Sequence, residues 1–195
     1  MRIQHRNRAK FPAGIMLAVL FLALLASAGP ALAQSLSLTP PSLANVDGRV
    51  TARFGVVVEE KPILKGELMD GAVLVLKCAV RLVEPSDYWF DREIAEGEFV
   101  SRINFDALTR EFVLTLPGGR ATLRDEDLSK VLDEGWGSIE TPLGAWSQLE
   151  HGKKYSLKLS TSMNQEDAPE GVMRFIYFWS WDAGANNTFQ LDFTF

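Results

Sequence analysis

Alternation of apolar and polar residues with a period of two runs through most of the chain beyond residue 48. Val50, Ala52, Phe54, Val56 and Val58 fall on one face of an extended segment, opposite Thr51, Arg53 and Glu59. Leu74, Leu76, Cys78, Val80 and Leu82 share one parity of a strand predicted over 72–83, which stops at Pro85. Phe99, Ile103 and Phe105 alternate with Arg102 and Asn104. Across Asp106-Ala107-Leu108 the chain turns into Phe112, Leu114 and Leu116, a hairpin pattern closed at its far end by Pro117-Gly118-Gly119. As an alternative near the start of that hairpin, Glu93 and Glu96 to Glu98 mark a small turn centred on Gly97. Further on, Tyr155, Leu157, Leu159 and Met163 oppose Lys154, Ser156, Lys158, Ser160 and Ser162. The run VMRFIYFWSW (172–181) is apolar on both parities and predicts a central strand. In the closing TFQLDFTF, Phe189, Leu191, Phe193 and Phe195 alternate with Gln190, Asp192 and Thr194.

Two stretches carry a helical period instead. In PILKGELMDG, Pro62 suits a first helical turn, Leu64 and Leu68 are i,i+4 partners, and Gly71 suits a left-handed stop. In TLRDEDLSKVLDEG, Asp125 to Asp127 place acid at the amino end, Leu128, Val131 and Leu132 form the buried stripe, and Gly135 reads as the stop. About seven antiparallel strands with two short helices predict a mainly β, sandwich-like fold. The alternative is an α+β sheet with one covered face.

The first 48 residues have a different character. Arg2, Arg6, Arg8 and Lys10 form a basic head, Ile15 to Ala28 is an unbroken apolar run, and Ala31-Leu32-Ala33 offers small residues at a cleavage site. Residues 1–33 therefore read as a signal peptide cut between Ala33 and Gln34, placing the rest in an extracytoplasmic space, the periplasm. The apolar run falls short of the about 20 residues a membrane span needs. If the segment stays uncleaved, it is the only expected membrane contact. Residues 34–48, rich in Ser, Pro and small residues, read as a leader, and 49–195 as one β-rich domain.

Removing residues 1–33 changes the charge. Four of the 20 basic residues lie there and none of the acidic ones, leaving 16 basic against 25 acidic, a net charge of −9. No basic cluster longer than Lys153-Lys154 remains, which argues against a nucleic-acid partner and against docking on anionic lipid. Cys78 is the sole cysteine, so no intramolecular disulfide forms, and its parity makes it a small core residue.

Recognisable catalytic chemistry is sparse. His151, in the turn LEHGKK, is the only histidine beyond residue 33 and builds no metal site alone. No nucleophile elbow, phosphate loop or dinucleotide fingerprint occurs. Neither catalytic residues nor metal or cofactor ligands are expected, and the chain reads as a non-enzyme. The acidic loop Glu166–Glu170 lacks calcium-loop spacing and reads as a solvated turn.

What stands out is aromatics beside acids. Asp87 and Asp91 flank Tyr88-Trp89-Phe90, and Asp182 follows Trp179 and Trp181. Asp87, Tyr88, Trp89, Asp91, Trp179, Trp181 and Asp182 are the candidate binding surface, for a protein or small ligand. A saccharide-binding cleft or a paired-acid hydrolase is the alternative. The competing structural reading makes Tyr88-Trp89-Phe90 a plug closing one end of the core. A terminal phenylalanine on an alternating strand also fits the end of a small outer-membrane β-barrel.

The segment 88–116 resembles a bacterial secreted family, the domain of unknown function 4390. The likeness rests on Tyr88-Trp89-Phe90-Asp91 and on Arg102-Ile103-Asn104-Phe105 running into Leu108-Thr109-Arg110-Glu111-Phe112. It continues more weakly through Leu128–Leu132 and the Leu149, Gly152, Tyr155 spacing, while the carboxy-terminal WSWDAGANNTFQLDFTF departs from the family's usual ending. The resemblance implies an extracytoplasmic, periplasmic protein and supplies no activity or catalytic residues. It also implies a membrane sensor kinase as a candidate partner. Asp91 and Thr109-Arg110, both in the motif, are expected to pair across strands and set the hairpin register.

Overall fold

A computed structural model of the chain describes residues 36–86, 90–119, 121–166 and 188–195. Among them are eleven strands and two α-helices, more strands than the alternation alone predicts. In chain order they are β1 (Leu36–Leu38), β2 (Ser42–Val46), β3 (Arg49–Phe54), β4 (Val56–Val58), α1 (Lys61–Met69), β5 (Leu74–Glu84) and β6 (Arg92–Asp106). There follow β7 (Glu111–Thr115), β8 (Thr122–Asp125), α2 (Leu128–Trp136), β9 (Ile139–Ala145), β10 (Lys154–Gln165) and β11 (Thr188–Thr194).

The principal sheet has six strands in the order β11-β10-β5-β6-β7-β8, every pair antiparallel. A second sheet runs β2-β3-β9, and β1 pairs with β4. The principal sheet is open, with β11 and β8 at its edges, so the barrel expectation is not met among the described residues. One face of it carries Leu74, Leu76, Cys78 and Val80 of β5, Phe99 and Ile103 of β6, Phe112 and Leu114 of β7, and Leu157, Leu159 and Met163 of β10. These residues form a single cluster with Ala52, Phe54 and Ile139 of the second sheet and with the buried stripes of α1 and α2. The result is the mainly β, sandwich-like layering that the alternation predicts. Each Leu or Ile fully buried there contributes about 1.5–3 kcal/mol.

Several local expectations change. Helix α1 keeps Pro62 in its first turn, buries Leu64 and Leu68, and is followed by Gly71 at φ +97°. In α2, Asp127 caps the amino end by accepting from the Ser129 N–H at 2.9 Å. Gly135 does not stop α2. The helix runs on to Trp136 and is capped by Gly137, because a glycine at 135 lets the helix sit against Leu114, whose Cδ2 would lie 2.8 Å from an added Cβ. Gly97 is no turn either; it lies inside the fifteen-residue β6, where β9 crosses. A Cβ on Gly97 would meet Thr141 Cγ2 at 2.7 Å, Leu143 Cδ2 at 2.9 Å and the Pro142 carbonyl oxygen at 3.0 Å.

The strand expected to run unbroken from 50 to 58 divides at Gly55, sending β3 into the second sheet and β4 against β1. Thr51, assigned by parity to the polar side, is buried at 3 % exposure between β2 and β9. Two strands, β1 and β2, fall within 34–48, the stretch that composition reads as a leader. The central strand expected at 172–181 lies outside the described residues.

Candidate functional site

Asp91 is the member of the candidate surface that the structure describes. Asp87, Tyr88, Trp89, Trp179, Trp181 and Asp182 lie outside the described residues. Asp91 stands just before β6, at the end of the principal sheet where β5 finishes and β10 begins. Its Oδ2 accepts from the Lys158 ammonium at 2.5 Å, and Oδ1 accepts from the Ser86 N–H at 3.4 Å. Those two donors, the Lys158 ammonium first, hold its carboxyl below the ordinary aspartate value. Asp91 therefore does not pair with Thr109-Arg110. Those residues turn the chain at the other end of β6, where Asp106 accepts from the Leu108 and Thr109 N–H groups at 3.0 and 3.3 Å. At about 3.3 Å per residue, fifteen residues of strand separate the two ends by about 50 Å.

Beside Asp91 lies a second ionic group. Arg92, directly opposite Glu84 in register, donates through Nε to Glu84 Oε2 at 3.0 Å, and Lys153 reaches Glu84 at 3.5 Å and Glu150 at 2.9 Å. Hydrogen bonding to Arg92 keeps the Glu84 carboxyl below its usual range. All of these side chains face water, so each pair contributes little to stability and is screened by salt.

Phe90 has no such cover. It is 96 % exposed and plugs no core, while Tyr88 and Trp89, the rest of the expected plug, lie outside the described residues. Among the described residues, a second cluster fills this end of the core. Val50, Leu82, Leu149 and Tyr155 form a buried cluster, with Trp146, Phe193 and Phe195 packed against it. The Trp146 and Phe195 rings meet edge-on at 5.3 Å, and His151 stacks on Phe195 at 4.8 Å. The Tyr155 hydroxyl accepts from the Glu150 N–H at 3.0 Å. Leu108, at the tip of the β6–β7 hairpin, is also 96 % exposed, but the length of β6 keeps it far from Phe90.

The polar face of the principal sheet extends this surface. From β11 to β5, Gln190, Lys158 and Arg81 stand side by side in register, and the next row on that face is Thr188, Ser160 and Ala79. Long side chains in one row and short ones in the next leave a recess of about 380 Å³. Sequence reasoning missed this recess, because its two cations lie on strands whose register is set only by folding.

For metal or thiol chemistry the described residues offer little. No group of three or more metal-ligating side chains occurs among them. Cys78 is buried, its Sγ 3.3 Å from the Thr161 hydroxyl, and burial pushes the thiol up to about 12. A thiol so raised is not a nucleophile at neutral pH.

Open antiparallel sheets layered over one core, with two short helices, make this a mainly β domain. The chain belongs to a family known as a domain of unknown function, DUF4390, whose family model matches residues 33–192. No curated protein and no solved structure matches it.

Proposed function

We propose that the chain is an exported, extracytoplasmic binding domain without catalytic activity, acting through the end of the principal sheet around Phe90 and Asp91. The exposure of Phe90 carries this reading: a large aromatic ring stands in water beside a fixed carboxylate–ammonium pair. The expected partner is a protein or a small ligand, with a membrane sensor kinase among the protein candidates. The basic head and apolar run of residues 1–33 support export to the periplasm.

A hydrolase draws less support. A paired-acid mechanism needs one carboxyl held protonated by a raised pKa, whereas Asp91 is held ionised by its donors. The binding reading is tested by capture from a membrane extract, comparing the purified protein with its Phe90→Ala variant. A partner retained by the wild type and lost with Phe90→Ala is the expected result. Equal retention by both proteins would remove Phe90 from the contact.

A further inference from the structure

The recess on the polar face of the principal sheet is chemically one-sided. Arg81, Lys158, Ser160, Thr188 and Gln190 line it around the small Ala79, with Leu159 and Phe189. Among the described residues no carboxylate lines it, Glu96 and Glu98 standing one strand further on, opposite Arg81 and Ala79. This is unusual ground in a chain whose residues beyond 33 carry a net charge of −9. Its two cations are also badly placed for each other. Lys158 and Arg81 are direct cross-strand partners, and like charges in that relation repel. Asp91 compensates Lys158, whereas Arg81 forms no ion pair with Glu96, its register partner on β6.

We infer that the recess binds the carboxylate of a small hydroxylated acid, a sugar acid in chemical class. Arg81 presents the planar, two-pronged donor that matches a carboxylate, and the anion offsets the Arg81–Lys158 repulsion. The Lys158 ammonium gives one of its three donors to Asp91, which leaves two for the ligand. Gln190 gives one amide N–H to Asp192 and keeps the other. With the Ser160 and Thr188 hydroxyls, that group meets the ligand's own hydroxyls. The volume sits at the low end of the about 300–1,000 Å³ common for small-ligand sites, room for a single sugar-sized molecule. The inference rests on the binding reading above and names a ligand class for the surface next to Phe90.

Calorimetric titration of the purified protein with glucuronate, glucose and sulfate tests it. Glucuronate is expected to bind saturably, at least about ten-fold more tightly than glucose or sulfate, and less tightly as salt is added. Arg81→Gln, at an exposed position, is expected to weaken glucuronate by about ten-fold or more, and Glu134→Gln, exposed on α2 at the opposite face of the sheet, to leave it unchanged. No saturation by about 10 mM glucuronate, or equal binding by Arg81→Gln, overturns the site. Sulfate binding as tight as glucuronate overturns the sugar-acid assignment. Partner capture separates this failure from that of the binding reading. A partner held by wild type and Arg81→Gln alike, and lost with Phe90→Ala, without glucuronate binding, sinks the recess and leaves the binding domain standing. Arg81-dependent glucuronate binding with no Phe90-dependent partner upholds the recess and sinks the Phe90 contact alone.

Discussion

The Trp136 indole N–H, at the end of α2, donates to the Ser101 hydroxyl on β6 at 2.7 Å, both residues being buried. It is a polar tie inside an apolar core, joining a helix to the strand beneath it. Burial makes the tie costly to break from one side, since an indole N–H left without a partner keeps its full desolvation penalty. Ser101→Ala is expected to lower stability by about 1–3 kcal/mol, read as a lower urea midpoint with unchanged slope. A midpoint equal to that of the wild type would show that the indole finds another acceptor.

Gly97 gives a steric prediction. Alanine there puts a methyl group into Thr141, Leu143 and the Pro142 carbonyl, and a backbone carbonyl has little room to yield. Gly97→Ala is expected to cost about 1–3 kcal/mol, whereas Gly66→Ala, with open space around its Cβ, is expected to be neutral or stabilising by up to about 1 kcal/mol. Thermal melts of the two variants, run side by side, check the ordering.

The exposed carboxylates set an acid limit. Asp91, Glu84, Asp106 and Asp125 all have folded values below their ordinary ones, through hydrogen bonds from Lys158, Arg92, the Leu108 N–H and Lys130 respectively. A depressed value means that the unfolded chain takes up protons first. Their stabilisation is therefore complete above the ordinary carboxylate range and is lost as pH falls through the lower folded values. Urea midpoints are expected to hold from about pH 7 to about pH 5 and to decline below about pH 4, more gently in Asp91→Asn. Identical acid profiles for variant and wild type would show that the Asp91–Lys158 pair carries none of this dependence.

Cys78 provides an alkaline counterpart. Its ordinary value of 9.0 rises to about 12 on burial, so between those values the unfolded chain releases a proton that the folded chain keeps. Stability from this group is complete below about pH 9 and falls as pH rises through that window. Native protein at about pH 8 is expected to resist maleimide, and protein unfolded in urea to react completely. Rapid labelling of the native state would place the thiol nearer water than its burial implies.

Legibility in the sequence followed locality. The parity of β5 and β10, the β6–β7 hairpin and the Leu64/Leu68 face of α1 follow from neighbouring residues and were legible. β9 was not, because Pro142 and Gly144 interrupt any alternation there, although Pro142 is tolerated where β9 shifts register against β3. Nor were β1 and β2, short Ser-containing stretches on either side of Pro40-Pro41 that become strands through pairing with β4 and β3. Gly135 and Gly97 look like punctuation along the chain, but each gives way to a neighbour arriving from a distant part of it. At the candidate site, Asp91 was found through its aromatic neighbours. Its partner Lys158 lies 67 residues away, and no spacing rule links the two.

Gly55 has a further consequence, in the order of events during folding. Its N–H donates to the Thr39 hydroxyl at 2.6 Å, and a Cβ there would lie 2.5 Å from the Gly137 carbonyl oxygen. Three chain positions, the outermost 98 residues apart, must converge before β3 and β4 can part into separate layers. Closing loops of that length is entropically uphill until the contacts form. The divide at Gly55 is therefore expected to lock late, with the β6–β7 hairpin gaining hydrogen-exchange protection during refolding before the Gly55 N–H does.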